Sequence, residues 1–126
     1  MKKILIVDDS PGIRLLLTSI IEKWKGFNVT EVATVKSAIS ACTESKYDLI
    51  FLDHRMRDGV GWELAEKIIL DPQKFGNPRI VAMSGSIFQD KDENTRKFYT
   101  EFIQKPFEVS RIDSILEELT EDSSPK

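Results

Sequence analysis

Asp48-Leu49-Ile50-Phe51-Leu52-Asp53 is the stretch whose reading decides the fold: four apolar residues between two acids, released into His54-Arg55-Met56-Arg57-Asp58-Gly59-Val60-Gly61. A continuous apolar run this short cannot make a helix and suits a strand covered on both faces. The segment therefore reads as a buried central strand that delivers one carboxylate, Asp53, to a sheet edge.

Working toward the N-terminus, Lys3 to Asp8 is a second run of the same kind and reads as the first strand. Ser10-Pro11 supplies a cap and a first-turn proline, and Ile13, Leu16, Leu17, Ile20, Ile21 and Trp24 then recur at helical spacing up to Lys25-Gly26. Asn28 to Ala33 is a weaker second strand. Thr34 caps a helix running to about Ser45, with Val35, Ala38, Ile39 and Cys42 on one side.

Toward the C-terminus, a helix from about Trp62 turns Leu64, Ala65, Ile68 and Ile69 inward until Asp71-Pro72 stops it. Arg79 to Ser84 is the fourth strand. Alternation predicts a helix over 87–99, but its middle is polar throughout, so it is expected to be short or mobile. Thr100 to Lys105 is the fifth strand, and Val109, Ile112, Ile115, Leu116 and Leu119 mark a last helix. One domain over 1–120 and a flexible polar tail over 121–126 are expected, with no output domain in so short a tail.

Five strands alternating with five helices predict an α/β fold, a mostly parallel sheet with helices on both faces. In open sheets of this type the functional crevice lies at the carboxyl ends of the strands. Those ends carry Asp8-Asp9, Asp53, Ser84 and Lys105-Pro106. Composition narrows the rest. With 18 Lys+Arg against 21 Asp+Glu and a net charge of −3, no basic excess points to nucleic acid. Cys42, the one cysteine, forms no internal disulfide and suits a small buried position in a reducing compartment. No segment has the length of a membrane span, and a cytoplasmic protein is expected.

Carboxylates crowded at one edge repel unless a cation or a proton intervenes, and a hard divalent ion is the natural solution. Mg²⁺ takes a few carboxylate oxygens and completes its shell with waters and a phosphoryl oxygen. Lysine serves a phosphate oxygen as a point charge, and a serine hydroxyl can donate to another. One carboxylate is left to attack phosphorus, as carboxylates do when they form acyl phosphates.

Together, Asp8-Asp9, the Asp53-x-x-Met56 loop ending in Gly61-Trp62-Glu63-Leu64, Ser84-Gly85 and Lys105-Pro106-Phe107 resemble the receiver domain of two-component response regulators, from Lys3 to about Leu119. The resemblance implies a flavodoxin-like, doubly wound five-stranded parallel sheet with strand order 2-1-3-4-5. It implies phosphoryl transfer from the histidine of a partner kinase or phosphotransfer protein to Asp53. Asp9 would be the main Mg²⁺ carboxylate, with Asp8, Asp53 and the backbone carbonyl of Arg55 completing the protein ligands, and Lys105 would bridge to the phosphoryl group. Ser84 and Phe102 would be the switch residues, remodelling a face made by the fourth helix, fifth strand and last helix for a downstream protein target. The chain would then be a stand-alone regulator, not an enzyme beyond slow self-dephosphorylation. It would be a monomer or a phosphorylation-dependent dimer, touching neither nucleic acid nor membrane.

Three departures from the family pattern are visible. Arg57 stands where the family has proline, Val60 where it has aspartate, and Phe102 lacks the phenolic hydroxyl many members carry. Asp58-Gly59 is a turn pair able to refold the loop locally, and Arg55 is placed to overhang the phosphoryl site and tune phosphate lifetime.

Each residue also has a plain reading. Asp8-Asp9 and Asp53 alone are caps or turn residues, Ser84 a strand-end hydroxyl, Lys105 a solvated lysine and Phe102 a core position. His54, the only histidine, adjoins Asp53 but faces the other way by strand alternation and reads as structural. The rival functions are a degenerate receiver acting as a constitutive binding module and a small aspartyl phosphatase. The second is poorly served, because His54 and Arg55 follow Asp53 where a second acid would act as general acid.

Overall fold

The computed structural model describes residues 1–85 and 97–122, with side chains described as far as Thr120. In chain order the strands are β1 (Lys2–Val7), β2 (Phe27–Val32), β3 (Leu49–Asp53), β4 (Arg55–Met56), β5 (Gly59–Val60), β6 (Arg79–Ser84) and β7 (Glu101–Gln104). The helices are α1 (Pro11–Ile21), α2 (Val35–Glu44), α3 (Gly61–Ile69), the short α4 (Pro72–Phe75) and α5 (Val109–Asp122). Five strands form one parallel sheet in the order β2-β1-β3-β6-β7, which is the expected 2-1-3-4-5.

Strand alternation divides the core in two. Ile4, Ile6, Leu49, Phe51, Val81 and Met83 pack with Leu17, Ile20 and Ile21 of α1 and with Ile112, Ile115 and Leu116 of α5. Leu5, Val7, Ile50, Leu52 and Ile80 pack on the other face with Ala38 and Cys42 of α2 and with Leu64, Ala65 and Ile68 of α3. Both faces being covered, every residue of β3 is buried, which is why the run Leu49 to Leu52 contains no polar residue.

Several boundaries differ from expectation. Helix α1 ends at Ile21, because Lys23 and Trp24 donate to carbonyls three residues back, at Ile20 and Ile21, and Gly26 then turns with φ 92°. Leu16 is exposed, and the Trp24 indole donates to Asp113 Oδ1 on α5 at 3.0 Å. Asp71-Pro72 ends α3 as expected but also begins α4, with Asp71 accepting from the Lys74 amide and Phe75 buried. Helix α5 continues past Thr120 to Asp122. The helix predicted over 87–99 lies outside the described residues except for Lys97 to Tyr99, which are not helical. Among the described residues, no helix is long and apolar enough to cross a membrane.

Candidate functional site

Parallel register brings the strand ends together. Val7 pairs with Leu52, Asp53 with Met83 and Ser84 with Gln104, so Asp8, Asp53, Ser84 and Lys105 emerge at one edge of the sheet. Asp8 is fully buried, Asp53 is 7% exposed, Ser84 is buried and Asp9 is half-buried. Asp8, Asp9 and Asp53 each offer a carboxylate oxygen, and these oxygens lie within 4.8 Å of one another. Lys105 Nζ stands 2.7 Å from Asp8 Oδ2 and 3.6 Å from Asp53 Oδ2.

The buried acids are not equally served. Asp8 has the near lysine contact and also accepts the Ser10 amide at 2.8 Å. Asp53 has the longer lysine contact and a 3.3 Å bond from the Arg55 amide. Burial, reinforced by the Asp8 charge, pushes the Asp53 carboxyl up to about 6, with Lys105 and the Arg55 amide opposing and Asp9 adding to the rise.

These donors fit a hard divalent cation. All are oxygens, the donor type that Mg²⁺ takes, and ligands of one octahedral ion lie about 3 Å apart when adjacent and about 4.2 Å when opposite, so the three carboxylates would draw closer around it. The single positive charge of Lys105 also leaves the three carboxylates short of neutrality.

Arg14, which the sequence reading passed over, sets this edge. Its Nη1 donates to the Asp8 backbone carbonyl at 2.6 Å, and its Nε pairs with Glu31 Oε1 of β2 at 3.4 Å. The signal was available: Arg14 lies three and seven residues before the buried Leu17 and Ile21, a cation on the inward stripe of an apolar helix.

His54, read from the sequence as structural, is buried. Its amide donates to the Met83 carbonyl, its Nδ1 lies 2.9 Å from the Tyr99 hydroxyl, and its ring meets Tyr99 and Phe102 edge-on. Phe102 is half-buried and packs beside His54, with the ring centroids 6.5 Å apart.

The loop after Asp53 forms a feature not anticipated in detail. Strands β4 and β5 make an antiparallel hairpin turning at Arg57-Asp58, and the Asp58 carboxylate accepts the Val35 and Lys36 amides at the start of α2. The Val35 amide, aided by that of Lys36, holds this exposed carboxyl below the usual carboxylate range. Val60 precedes α3 without a side-chain cap. Gly61 is required by close approach, since a Cβ there would sit 2.5 Å from the Asp53 carbonyl oxygen. The Arg55 side chain is exposed, and Arg57, 93% exposed, reaches Asp9 only at 4.0 Å.

The family model of the response regulator receiver domain matches residues 4–117. Transcriptional regulatory protein LytR of Staphylococcus aureus is 34% identical over 112 residues, covering 88% of this chain and 44% of LytR. Hybrid signal transduction histidine kinase L of Dictyostelium discoideum is 31% identical over 122 residues, which are 90% of this chain and 7% of the kinase. The chain thus spans less than half the length of these curated relatives. Among solved structures, a two-component response regulator from Clostridium difficile superposes with a TM-score of 0.85 at 25% identity, over 98% of this chain and 100% of that one. TrrA from Thermotoga maritima, solved in complex with Mg²⁺-BeF, gives 0.76 at 24% identity over 94% and 99% of the two chains, a likeness of fold.

Proposed function

Because the chain belongs to the response regulator receiver domain family, we propose that it is a phosphorylation-dependent signalling switch in which Asp53 accepts a phosphoryl group from a histidine kinase or histidine phosphotransfer protein. A carboxylate oxygen of Asp53 attacks phosphorus, and a P–O bond forms as the P–N bond to the donor histidine breaks. The electron pair of that bond returns to the imidazole, which takes a proton from solvent. The observation that carries this reading is the convergence of Asp8, Asp9 and Asp53 within 4.8 Å, with Lys105 Nζ 2.7 Å from Asp8 and 3.6 Å from Asp53.

Asp53 is the nucleophile because it is the buried carboxylate with the weaker partners, so an oxygen can leave them at least cost. Lys105 swings from the carboxylates to a phosphoryl oxygen, and Ser84 donates to another. Asp8, Asp9, Asp53 and the Arg55 backbone carbonyl would hold Mg²⁺, which when bound neutralises the crowded acids and the incoming phosphoryl charge. That the Thermotoga neighbour was solved with Mg²⁺-BeF supports the choice of ion, and the clustered carboxylates of this chain support the ligand set. Movement of Ser84 and Phe102 then reshapes the groove of about 460 Å³ between β7 and α5, where Phe107 and Arg111 contribute to the lining and a downstream protein would dock.

Intact mass after treatment with acetyl phosphate and Mg²⁺ tests the reading. One phosphoryl group on the wild type and none on Asp53→Asn is expected. An unmodified wild type overturns it in favour of a constitutive binding module, the reading that Arg57 and Val60 favour. In the same assay Arg55→Ala should lose its phosphoryl group faster than the wild type.

A further inference from the structure

We propose that Asp58 is a positioning residue for the phosphoryl site: by binding the first turn of α2 it fixes the β4–β5 hairpin, and with it the Arg55 main chain beside Asp53. The inference rests on the receiver reading above and adds a residue and an element, α2, to the machinery of that site.

The hairpin pairs only Arg55 with Val60 and Met56 with Gly59. A two-stranded ribbon of that length has no stability of its own in water, so its conformation must be imposed from outside. The Gly61 amide closes its base on the His54 carbonyl at 2.8 Å, and three further contacts impose the rest. Met56 is buried in the core on the α2–α3 face, Gly59 lies against Val35 with its Cβ position 3.3 Å from Val35 Cγ2, and Asp58 takes the Val35 and Lys36 amides at 3.0 and 3.3 Å. Two of the three anchors therefore end on the same residues of α2.

This is more than an ordinary cap. The start of α2 already has one, Thr34, whose hydroxyl accepts the Ser37 amide at 2.9 Å. Asp58 takes two other amides that a helix start leaves without intrahelical partners, and it does so from a segment 22 residues or more distant along the chain. A carboxylate at a helix N-terminus is also favoured by the helix dipole. On the other side of the turn, the Arg55 amide donates to Asp53 Oδ1, so the main chain that touches the phosphoacceptor is held through the turn by α2.

Thr34 provides the control, because Thr34→Ala weakens the same helix start without touching the hairpin. In metal-free protein followed by amide hydrogen exchange, Asp58→Ala should speed exchange over residues 55–60 by about tenfold, while Thr34→Ala leaves it within about twofold. Asp58→Asn, which keeps an acceptor oxygen, should fall between the two. Mg²⁺ affinity, read by calorimetry, should weaken by about tenfold in Asp58→Ala and stay unchanged in Thr34→Ala. Unchanged hairpin exchange in Asp58→Ala, or equal acceleration in both alanine variants, would overturn the proposal. A wild type that binds no Mg²⁺ and accepts no phosphoryl group would instead sink the receiver reading, and the exchange comparison would still decide the positioning role of Asp58.

Discussion

Asp53 ends β3 and Asp58 lies in the hairpin turn that follows, five residues apart in number, and the fold drives their charges in opposite directions. Asp53 is sealed at the end of a central strand beside two more carboxylates, and its ionised form is costly. Asp58 stands in solvent at a hairpin turn, where two helix amides favour its ionised form. The difference separates a charge that burial and like neighbours make costly from a charge that holds structure. It also shows that residue type and neighbourhood in sequence do not decide which role an aspartate has.

The largest effect that sharpens this contrast is metal. If Mg²⁺ binds only the folded site, it should stabilise the wild type by about 2.7 kcal/mol at a hundredfold excess over its dissociation constant. Asp9→Ala should lose most of that gain in thermal melts, whereas Asp58→Asn should keep most of it. A wild type melting at the same temperature with and without Mg²⁺ would remove the contrast at its source.

Next comes Asp53→Asn in EDTA. The Asp53 carboxyl is raised from 3.8 to about 6, so at neutral pH the fold bears a cost on the order of 2 kcal/mol that the amide relieves. Lys105 keeps Asp8 as a partner in that variant, so no cation is stranded. The raised value means the folded chain holds the proton more tightly, and the wild type loses this contribution as pH rises from about 4 to about 6. The stabilisation by Asp53→Asn should therefore appear across that window; a variant no more stable than wild type at pH 7 would contradict it.

Asp58 should behave with the reverse sign and a smaller amplitude. Its folded carboxyl lies below its ordinary value, so its contribution is present above the unfolded value near 4 and is lost as pH falls through the folded one. Denaturation curves of wild type and Asp58→Asn should converge in strong acid and separate above about pH 4. The smallest expected effect is at Arg57, whose exposed contact with Asp9 at 4.0 Å contributes little. Arg57→Ala should melt within about 0.5 kcal/mol of wild type, and a larger change would mean the turn depends on more than its Asp58 anchor.

The site was largely legible as a set of strand ends. Three apolar strand runs marked where Asp8-Asp9, Asp53 and Ser84 would surface, and Lys105 followed from the fifth strand. What could not be read was how these charges divide among partners. From the sequence the repulsion is common to all three acids, while in the fold Asp8 takes the near lysine and the Ser10 amide and leaves Asp53 with the burden. The pairing of Arg14 with Glu31 was hidden for a related reason, since it joins α1 to β2 across a register that only the folded sheet supplies.

The sequence by itself determined the five-stranded parallel sheet, because a strand buried on both faces must be apolar throughout and its polar exit must lie at the edge. It also determined which acids share that edge. The conformation of the loop from Arg55 to Val60 was decided only in three dimensions. A hairpin of two residue pairs has no local preference strong enough to announce itself, and it takes its shape from amides of a helix that lies more than twenty residues earlier.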